Sequence, residues 1–271
     1  TVNFIPIRTE DLTWSFSVNT GKVNNKIQNN ERVNVLEDFL NGTAIIDGKA
    51  YNTFYSYQFK ELSQENGEPL FYNMDIEKTN DFTEFLVRSG NFDSDFTGGF
   101  NTQVRYKRLS LTMQFAMQFG GQDRLPELYS GSLKGVPAPQ ENVSRQLKNR
   151  WRKAGDETNI PAVPNYNSAS TSGYVQLPVL SGTNSTTPYV MYANSDIRVA
   201  DTDLIRCRQI ALTYNVSEKI LKALHMKYAS ISWSMSNPFM IAFDKAWKGL
   251  DPETKDWPAR RTTSLSLNVT F

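Results

Sequence analysis

The feature that most constrains this chain is a run of strict alternation beginning at Leu109. Leu109, Leu111, Met113, Phe115, Met117 and Phe119 alternate with Ser110, Thr112, Gln114, Ala116, Gln118 and Gly120. Successive side chains of an extended strand point to opposite faces, so the segment reads as one strand with an apolar side and a small, polar side. Three other segments repeat the pattern. Leu12, Trp14, Phe16 and Val18 alternate with Thr13, Ser15, Ser17 and Asn19. Ala229, Ile231, Trp233 and Met235 alternate with Tyr228, Ser230, Ser232 and Ser234, and Leu265, Leu267, Val269 and Phe271 with Ser264, Ser266, Asn268 and Thr270. Looser alternation runs from Phe100 to Lys107 and from Gln209 to Val216. Strands expected over Val2 to Ile7 and Tyr51 to Phe59 bring the total near eight; the latter would carry Tyr55, Tyr57 and Phe59 on one side, as an interfacial aromatic girdle does.

Alternation by itself suits a soluble sandwich, with apolar inner faces and polar outer ones. Length separates the two readings. Soluble strands peak at about five or six residues, whereas the run from Leu109 to Gly120 is longer than the roughly 9 to 11 residues that cross a bilayer at a tilt. Its polar partners are small and mostly uncharged, as a wall facing a water-filled or plugged lumen would be. Composition points the same way, with 24 Asn, 23 Ser, 22 Thr and 33 aromatic residues. A mean hydropathy of −0.48 and the lack of a long apolar run exclude a transmembrane helix but not a barrel. With 29 Lys and Arg against 28 Asp and Glu, the balance argues against a nucleic-acid binder.

Enzyme chemistry finds little support. The lone His225 leaves no basis for a Ser-His-Asp triad or a multi-histidine metal site, and Cys207 can form no internal disulfide. The carboxylate pairs Asp93 and Asp95, Asp201 and Asp203, and Asp251 and Glu253 sit beside turn-forming residues and read as solvated loop edges; as calcium ligands they match no twelve-residue loop. Gly98-Gly99 and Gly120-Gly121 read as bulges or tight turns, and the five Asn-X-Ser/Thr triplets as chance matches in an Asn-rich chain. No catalytic residue, metal or cofactor is expected. The start at Thr1-Val2-Asn3, with no leader, suggests a processed chain or a piece of a longer one.

Between Gln122 and Thr202 the alternation stops. That stretch contains seven prolines, from Pro126 to Pro188, and a small, polar run from Asn165 to Gly173. Loops of such length are usually functional or disordered. Val143, Leu147 and Trp151 are spaced for a short amphipathic helix over Glu141 to Lys153. Trp151, Tyr166, Tyr174, Tyr189 and Tyr192 could stack on sugar faces or peptide side chains, or pack the loop against itself. A smaller insertion lies at Asn29 to Gly48. Long connections alternating with short ones fit an outer-membrane barrel.

The order of local motifs resembles one family. Trp14 to Asn19 followed by Asn25-Lys26, then Tyr57 to Leu62 followed by Gly67-Glu68-Pro69, resemble segments of the SusC/RagA-type TonB-dependent outer-membrane transporters of the Bacteroidetes. Phe96-Thr97-Gly98-Gly99-Phe100-Asn101 with Tyr106-Lys107 is the clearest match. Arg150-Trp151, Gly155-Asp156, Thr158 and Ile160-Pro161 follow in the same order. Leu204-Ile205-Arg206, Leu212-X-Tyr214, Ser236-Asn237-Pro238-Phe239, Gly249-Leu250-Asp251-Pro252-Glu253 and Phe271 complete the series. Ala154 and Pro238 depart from the family pattern.

The resemblance implies an all-β fold, an antiparallel transmembrane β-barrel, with residues 1–271 the C-terminal part of a 22-stranded plugged barrel and 122–202 a long extracellular loop region. The plug lies outside this chain. It implies a non-enzymatic importer of glycan or oligopeptide in the bacterial outer membrane. Its partners would be a SusD-like surface lipoprotein, TonB acting through the N-terminal part, the remaining barrel and plug, and membrane lipid, with no nucleic acid. Leu111, Met113, Phe115, Ile231, Trp233, Leu265 and Leu267 are expected to face lipid, with Thr112, Gln114, Ser232 and Ser266 facing the lumen. Phe271 is expected to serve as a barrel-assembly signal; no substrate-binding residue is assigned. The alternatives are a self-contained small porin or adhesin barrel and a soluble carbohydrate-binding sandwich.

Overall fold

A strand with two unlike faces becomes a wall only if its neighbours pair in a register that gathers like faces together. The computed structural model describes residues 1–28, 31–129, 143–163, 173–182, 184–255 and 258–271. Along the chain, β1 (Val2–Arg8) and β2 (Leu12–Lys22) are followed by the short β3 (Thr53–Tyr57), β4 (Phe59–Leu62), β5 (Pro69–Phe71) and β6 (Leu86–Asn91). Two long strands come next, β7 (Phe96–Tyr106) and β8 (Leu109–Phe119), then the short β9 (Gln122–Arg124), β10 (Val175–Gln176), β11 (Ser185–Thr186) and β12 (Val199–Asp201). The chain closes with β13 (Leu204–Asn215), β14 (Tyr228–Ala242) and β15 (Thr262–Thr270). Among the described residues three short helices intervene: α1 (Leu36–Asn41), α2 (Pro188–Ala193) and α3 (Glu218–Ala223).

Two compact units result, one of residues 1–23, 94–121 and 201–271 and the other of residues 24–93 and 122–200. The first is a seven-stranded sheet in the order β1-β2-β7-β8-β13-β14-β15, with every neighbour antiparallel. Among the described residues, no helix is long and apolar enough to cross a membrane. The sheet's connections are of two kinds. Short ones join β1 to β2, β7 to β8 and β13 to β14 at one end; the segments between β2 and β7 and between β8 and β13 leave from the other.

Seven strands, not eight, make this sheet. The eighth expected strand, over Tyr51 to Phe59, belongs to the second unit, where β3 pairs with β6 and all five of its residues are buried. Its tyrosines are therefore no interfacial girdle. Tyr55 and Tyr57 pack with Leu36 and Phe39 of α1, Phe82, Phe85, Leu86, Val179 and Met191. Alternation in β3 is uninformative because both of its faces are covered.

A second cluster in that unit joins Leu128, Tyr129, Leu147, Tyr189 and Tyr192. Three of its phenols donate to carbonyls of one stretch: Tyr129 to Pro161 at 2.7 Å, Tyr189 to Ala162 at 2.9 Å and Tyr192 to Asn159 at 2.9 Å. Trp151 is buried too and lies over Gly67, where a Cβ would come within 2.2 Å of its ring and φ is +74°. Only glycine fits both demands. Thus Tyr189 and Tyr192 pack the segment against itself and Trp151 packs over Gly67; Tyr174 is exposed, and Tyr166 lies outside the described residues. The helix expected over Glu141 to Lys153 is a 3-10 turn at Arg145–Asn149, with Leu147 buried and Val143 exposed.

Arg124 of β9 ties the unit together. Its guanidinium donates to Leu40 O at 2.7 Å and Tyr55 O at 2.6 Å and stacks on Phe54, 4.8 Å from the ring centre. Burial pushes its pKa down to about 10, with the charge of Asp123 working against the shift, so the group is still a cation at neutral pH.

Candidate functional site

The register of the seven-stranded sheet sorts its side chains into rows. Directly paired residues share a face, and one row runs Ile7, Trp14, Val104, Leu111, Leu212, Trp233, Leu265. A second runs Phe4, Phe16, Thr102, Met113, Ile210, Met235, Thr263, and a third Leu12, Tyr106, Leu109, Tyr214, Ile231, Leu267. Phe115 lies in a fourth with Val2, Val18, Phe100, Cys207 and Phe239. All seven residues expected to face lipid are thus on one side of one sheet. Phe100 and Phe115 stack with ring centres 4.3 Å apart, and Phe16 and Phe239 continue the aromatic ribbon at 5.8 and 6.2 Å. Leu265 and Leu267 are 75% and 65% exposed, and Phe271, just past β15, is 73% exposed.

The opposite face is built mostly from neutral polar groups, with Arg8 and Arg105 joining it in the row of Thr13 and Ser110. Asn3, Ser17, Asn101, Gln114, Gln209, Ser236 and Thr262 form one row, and Ser15, Gln103, Thr112, Ala211, Ser234 and Ser264 the next. Thr213 and Ser232 share a hydroxyl hydrogen bond of 2.9 Å in a third, which also holds Ser266. Across β1, β2, β7 and β8 this face sinks into a groove of about 450 Å³, lined by Asn3, Ser15, Asn101, Gln103, Thr112 and Gln114, with Ile5 at a register shift in β1. Gly98 and Gly99 lie in unbroken ladders rather than in a bulge. A Cβ at Gly98 would meet Asn19 O at 2.6 Å and one at Gly99 would meet Phe115 O at 2.8 Å, so the pair lets the strands close up.

Sequence reasoning missed the strongest electrostatic feature of this face. The ladder shifts between Cys207 and Gln209, inserting Arg208 as an extra residue. Cys207 therefore pairs with Phe115 on the apolar side, while Arg206 pairs with Ala116 on the polar side. Arg206 is 3% exposed and donates to Asp251 Oδ1 and Glu253 Oε2, both at 2.6 Å; Arg208 donates to Glu253 Oε1 at 3.0 Å. Asp251 is 4% exposed and also accepts from the Glu253 and Ala259 backbone N–H groups. Burial alone would raise its pKa, but the guanidinium and these donors outweigh it and hold the carboxyl below the usual range. Nearby, Trp247 is 1% exposed and donates to Asp201 O at 2.7 Å. The connection from β14 to β15 is thus pinned as a strap.

The solvated-edge reading fails for Asp251 with Glu253, whereas Asp95 and Asp201 are exposed and Asp93 and Asp203 half-buried. Asp251 and Glu253 hold the strap, Asp203 accepts from Gly120 N at 2.7 Å, and Asp93 accepts from Asn52 Nδ2 at 3.0 Å. Among the described residues, no group of three or more His, Cys, Asp and Glu is placed to hold a metal. His225 sits at φ +54° in the connection after α3. The signal available in the sequence was the break in alternation at Cys207-Arg208, with a second arginine two positions before it.

No family model matches the chain. A TonB-dependent receptor, P3 of Formosa agariphila, is 22% identical over 311 residues, covering all of this chain and 28% of that protein. The RagAB peptide importer in its open-open state superposes with a TM-score of 0.68 at 18% identity, covering 99% of this chain and 28% of that one. The chain has the fold of part of a TonB-dependent transporter barrel. The closed-closed state of RagAB gives the same TM-score at 17% identity. The SusC/RagA resemblance read from motif order therefore agrees with both sequence and fold. Two of its motifs acquire physical content: Phe96 to Asn101 opens β7 of the barrel wall, and Gly249 to Glu253 carries the carboxylates that bind Arg206.

Proposed function

We propose that this chain is the C-terminal part of the barrel of an outer-membrane, TonB-dependent nutrient importer. The observation that carries the reading is one antiparallel sheet whose two faces differ in chemistry across all seven strands. In hydrocarbon every backbone polar group must be paired, and a barrel achieves this between strands while presenting apolar residues to lipid. Leu111, Met113, Phe115, Ile231, Trp233, Leu265 and Leu267 then face lipid, and Thr112, Gln114, Ser232 and Ser266 the lumen.

Single cysteines at Phe115, Leu265, Gln114 and Ser266, in a full-length protein lacking Cys207, test this with a membrane-impermeant maleimide. Labelling should reach positions 114 and 266 and spare 115 and 265; the reverse pattern would sink the barrel orientation.

The alternative, a small self-contained porin or adhesin, needs β1 and β15 to meet. They are the two edges of the sheet and do not pair with one another among the described residues. Unpaired edges in lipid are costly, so we expect further strands of a longer protein to complete the wall. Residues 1–271 expressed alone should not give a heat-modifiable barrel, and coexpression with the rest should rescue folding.

Likeness to a peptide importer makes oligopeptides the first substrate class to test, with glycans second. The region 122–202 would contribute to the binding cavity or to the contact with a SusD-like lipoprotein, while TonB acts through the N-terminal part. Phe271 would act as an assembly signal. Its deletion should then reduce insertion by more than loss of one apolar side chain, roughly 1.5–3 kcal/mol, can explain through stability.

A further inference from the structure

We propose that the short-turn end of the seven-stranded sheet is a contact for anionic lipid headgroups, an inference that rests on the barrel reading above. It is built on two adjoining turns. Asn215 N donates to Arg108 O at 2.9 Å, and Arg108 Nη1 returns a bond to Val216 O at 3.0 Å, so the connection from β7 to β8 and that from β13 to β14 form one corner. This corner exposes Lys107, Arg108, Lys219, Lys222 and Lys227. Facing them are Glu218 and, from the turn between β1 and β2, Glu10 and Asp11, the latter 3.6 Å from Lys107. Cations are in clear excess. At the other end of the same unit, Arg206 and Arg208 are instead matched by Asp251 and Glu253.

The apolar groups at this corner identify the partner as lipid. At about 100° per residue, Ile220, Leu221 and Leu224 fall on one side of α3 and Lys219 and Lys222 on the other. Ile220 and Leu224 are 47% and 54% exposed. A short helix with a bare apolar side and a lysine side suits the boundary between acyl chains and headgroups. The apolar face of the sheet arrives at the same end through Tyr106 and Tyr214, 53% and 43% exposed, and Lys107 Nζ lies 5.5 Å from the Tyr106 ring centre. Aromatic rings at the end of a greasy face mark the interfacial level. The ammonium groups are then placed where lipid phosphates lie, and an anionic headgroup gains where a zwitterionic one does not.

The test uses the full-length protein reconstituted in phosphatidylcholine vesicles with a trace of spin-labelled phosphatidylglycerol or spin-labelled phosphatidylcholine. The protein-restricted fraction of each label gives their relative association. Phosphatidylglycerol should be preferred, with the preference falling as salt rises. K219Q, K222Q and K227Q together should reduce it by up to about fivefold per lysine, without changing how the protein floats with vesicles. I220S with L224S should weaken the preference with all charges retained. Equal association of the two labels, or a preference untouched by the triple substitution, would overturn the lipid assignment alone. Failure to float with vesicles at all would overturn the barrel reading and this inference with it.

Discussion

The two units of this chain use the same ingredients to opposite ends. In the seven-stranded sheet, Leu265 and Leu267 stand exposed on one face with nothing of the unit over them; in the second unit, Phe85 and Tyr57 are almost wholly enclosed. One region is held by backbone pairing and, on the barrel reading proposed above, leaves its apolar face for lipid. The other buries aromatic rings against segments from distant parts of the chain, as a water-soluble domain does. A barrel protein therefore contains two kinds of apolar residue, and burial within the chain separates them.

Phe85→Ala in the second unit and Leu267→Ala in the sheet should separate them most widely. The first creates a cavity and should cost about 3–5 kcal/mol, read as lost hydrogen-exchange protection across the β3–β6 ladder. The second should change stability far less in bilayer, because lipid fills the space. Equal losses would break the distinction between the units.

Arg206→Met removes one partner of a buried ion pair and leaves Asp251 stranded. A local loss of about 3–5 kcal/mol is expected, seen as proteolysis within the strap while the sheet stays folded. Adding Asp251→Leu to Arg206→Met should recover part of it, since neither charge is then left alone.

Phe115→Arg and Gln114→Arg probe the two faces of β8 at adjacent positions. The first should cost about 2–4 kcal/mol near mid-membrane and the second much less, measured by unfolding of the barrel in lipid. Similar costs would deny the sheet its lipid-facing side.

The smallest effect is with pH. Because the folded-state pKa of Asp251 is depressed below its ordinary 3.8, its contribution is fully present above that value. It is lost as pH falls through the lower folded value. The strap should hold at neutral and mildly acid pH and loosen only in strong acid, with Trp247 emission reporting its release. Loosening near pH 6 would contradict the assignment.

How much of this was written in the sequence differs between the units for a physical reason. Period-two alternation survives in β2, β8, β14 and β15 because each has one face with a fixed chemistry, so the wall was legible strand by strand. The second unit's β3 has both faces buried, and its covering residues come from α1, β6 and the stretch around Val179. No local period encodes that closure, so Tyr55 and Tyr57 looked like part of the wall. The aromatic residues of 122–200 posed the same difficulty, since a ring packed on its own segment and a ring held out for a ligand have the same spacing. The strap failed to show because Arg206 and its carboxylates are far apart in sequence and the register shift beside Arg206 hides which face it takes.

That shift at Arg208 carries a consequence for how the strand can change length. Parity governs a two-faced strand: one residue gained or lost in the middle of β8 exchanges every side chain beyond it between its two environments. Arg208 is already the extra residue against β8, lying between Cys207 and Gln209 on a ladder that closes around it. Removing it alone would leave Cys207 still opposite Phe115 and Gln209 still opposite Gln114, each on its present side. On the β14 side, where Asn237 and Pro238 stand opposite Arg208, the loss would have to be taken up by that irregularity. With it absorbed there, a single-residue deletion in β13 should be tolerated best at this position, because it alone does not turn the wall inside out against β8.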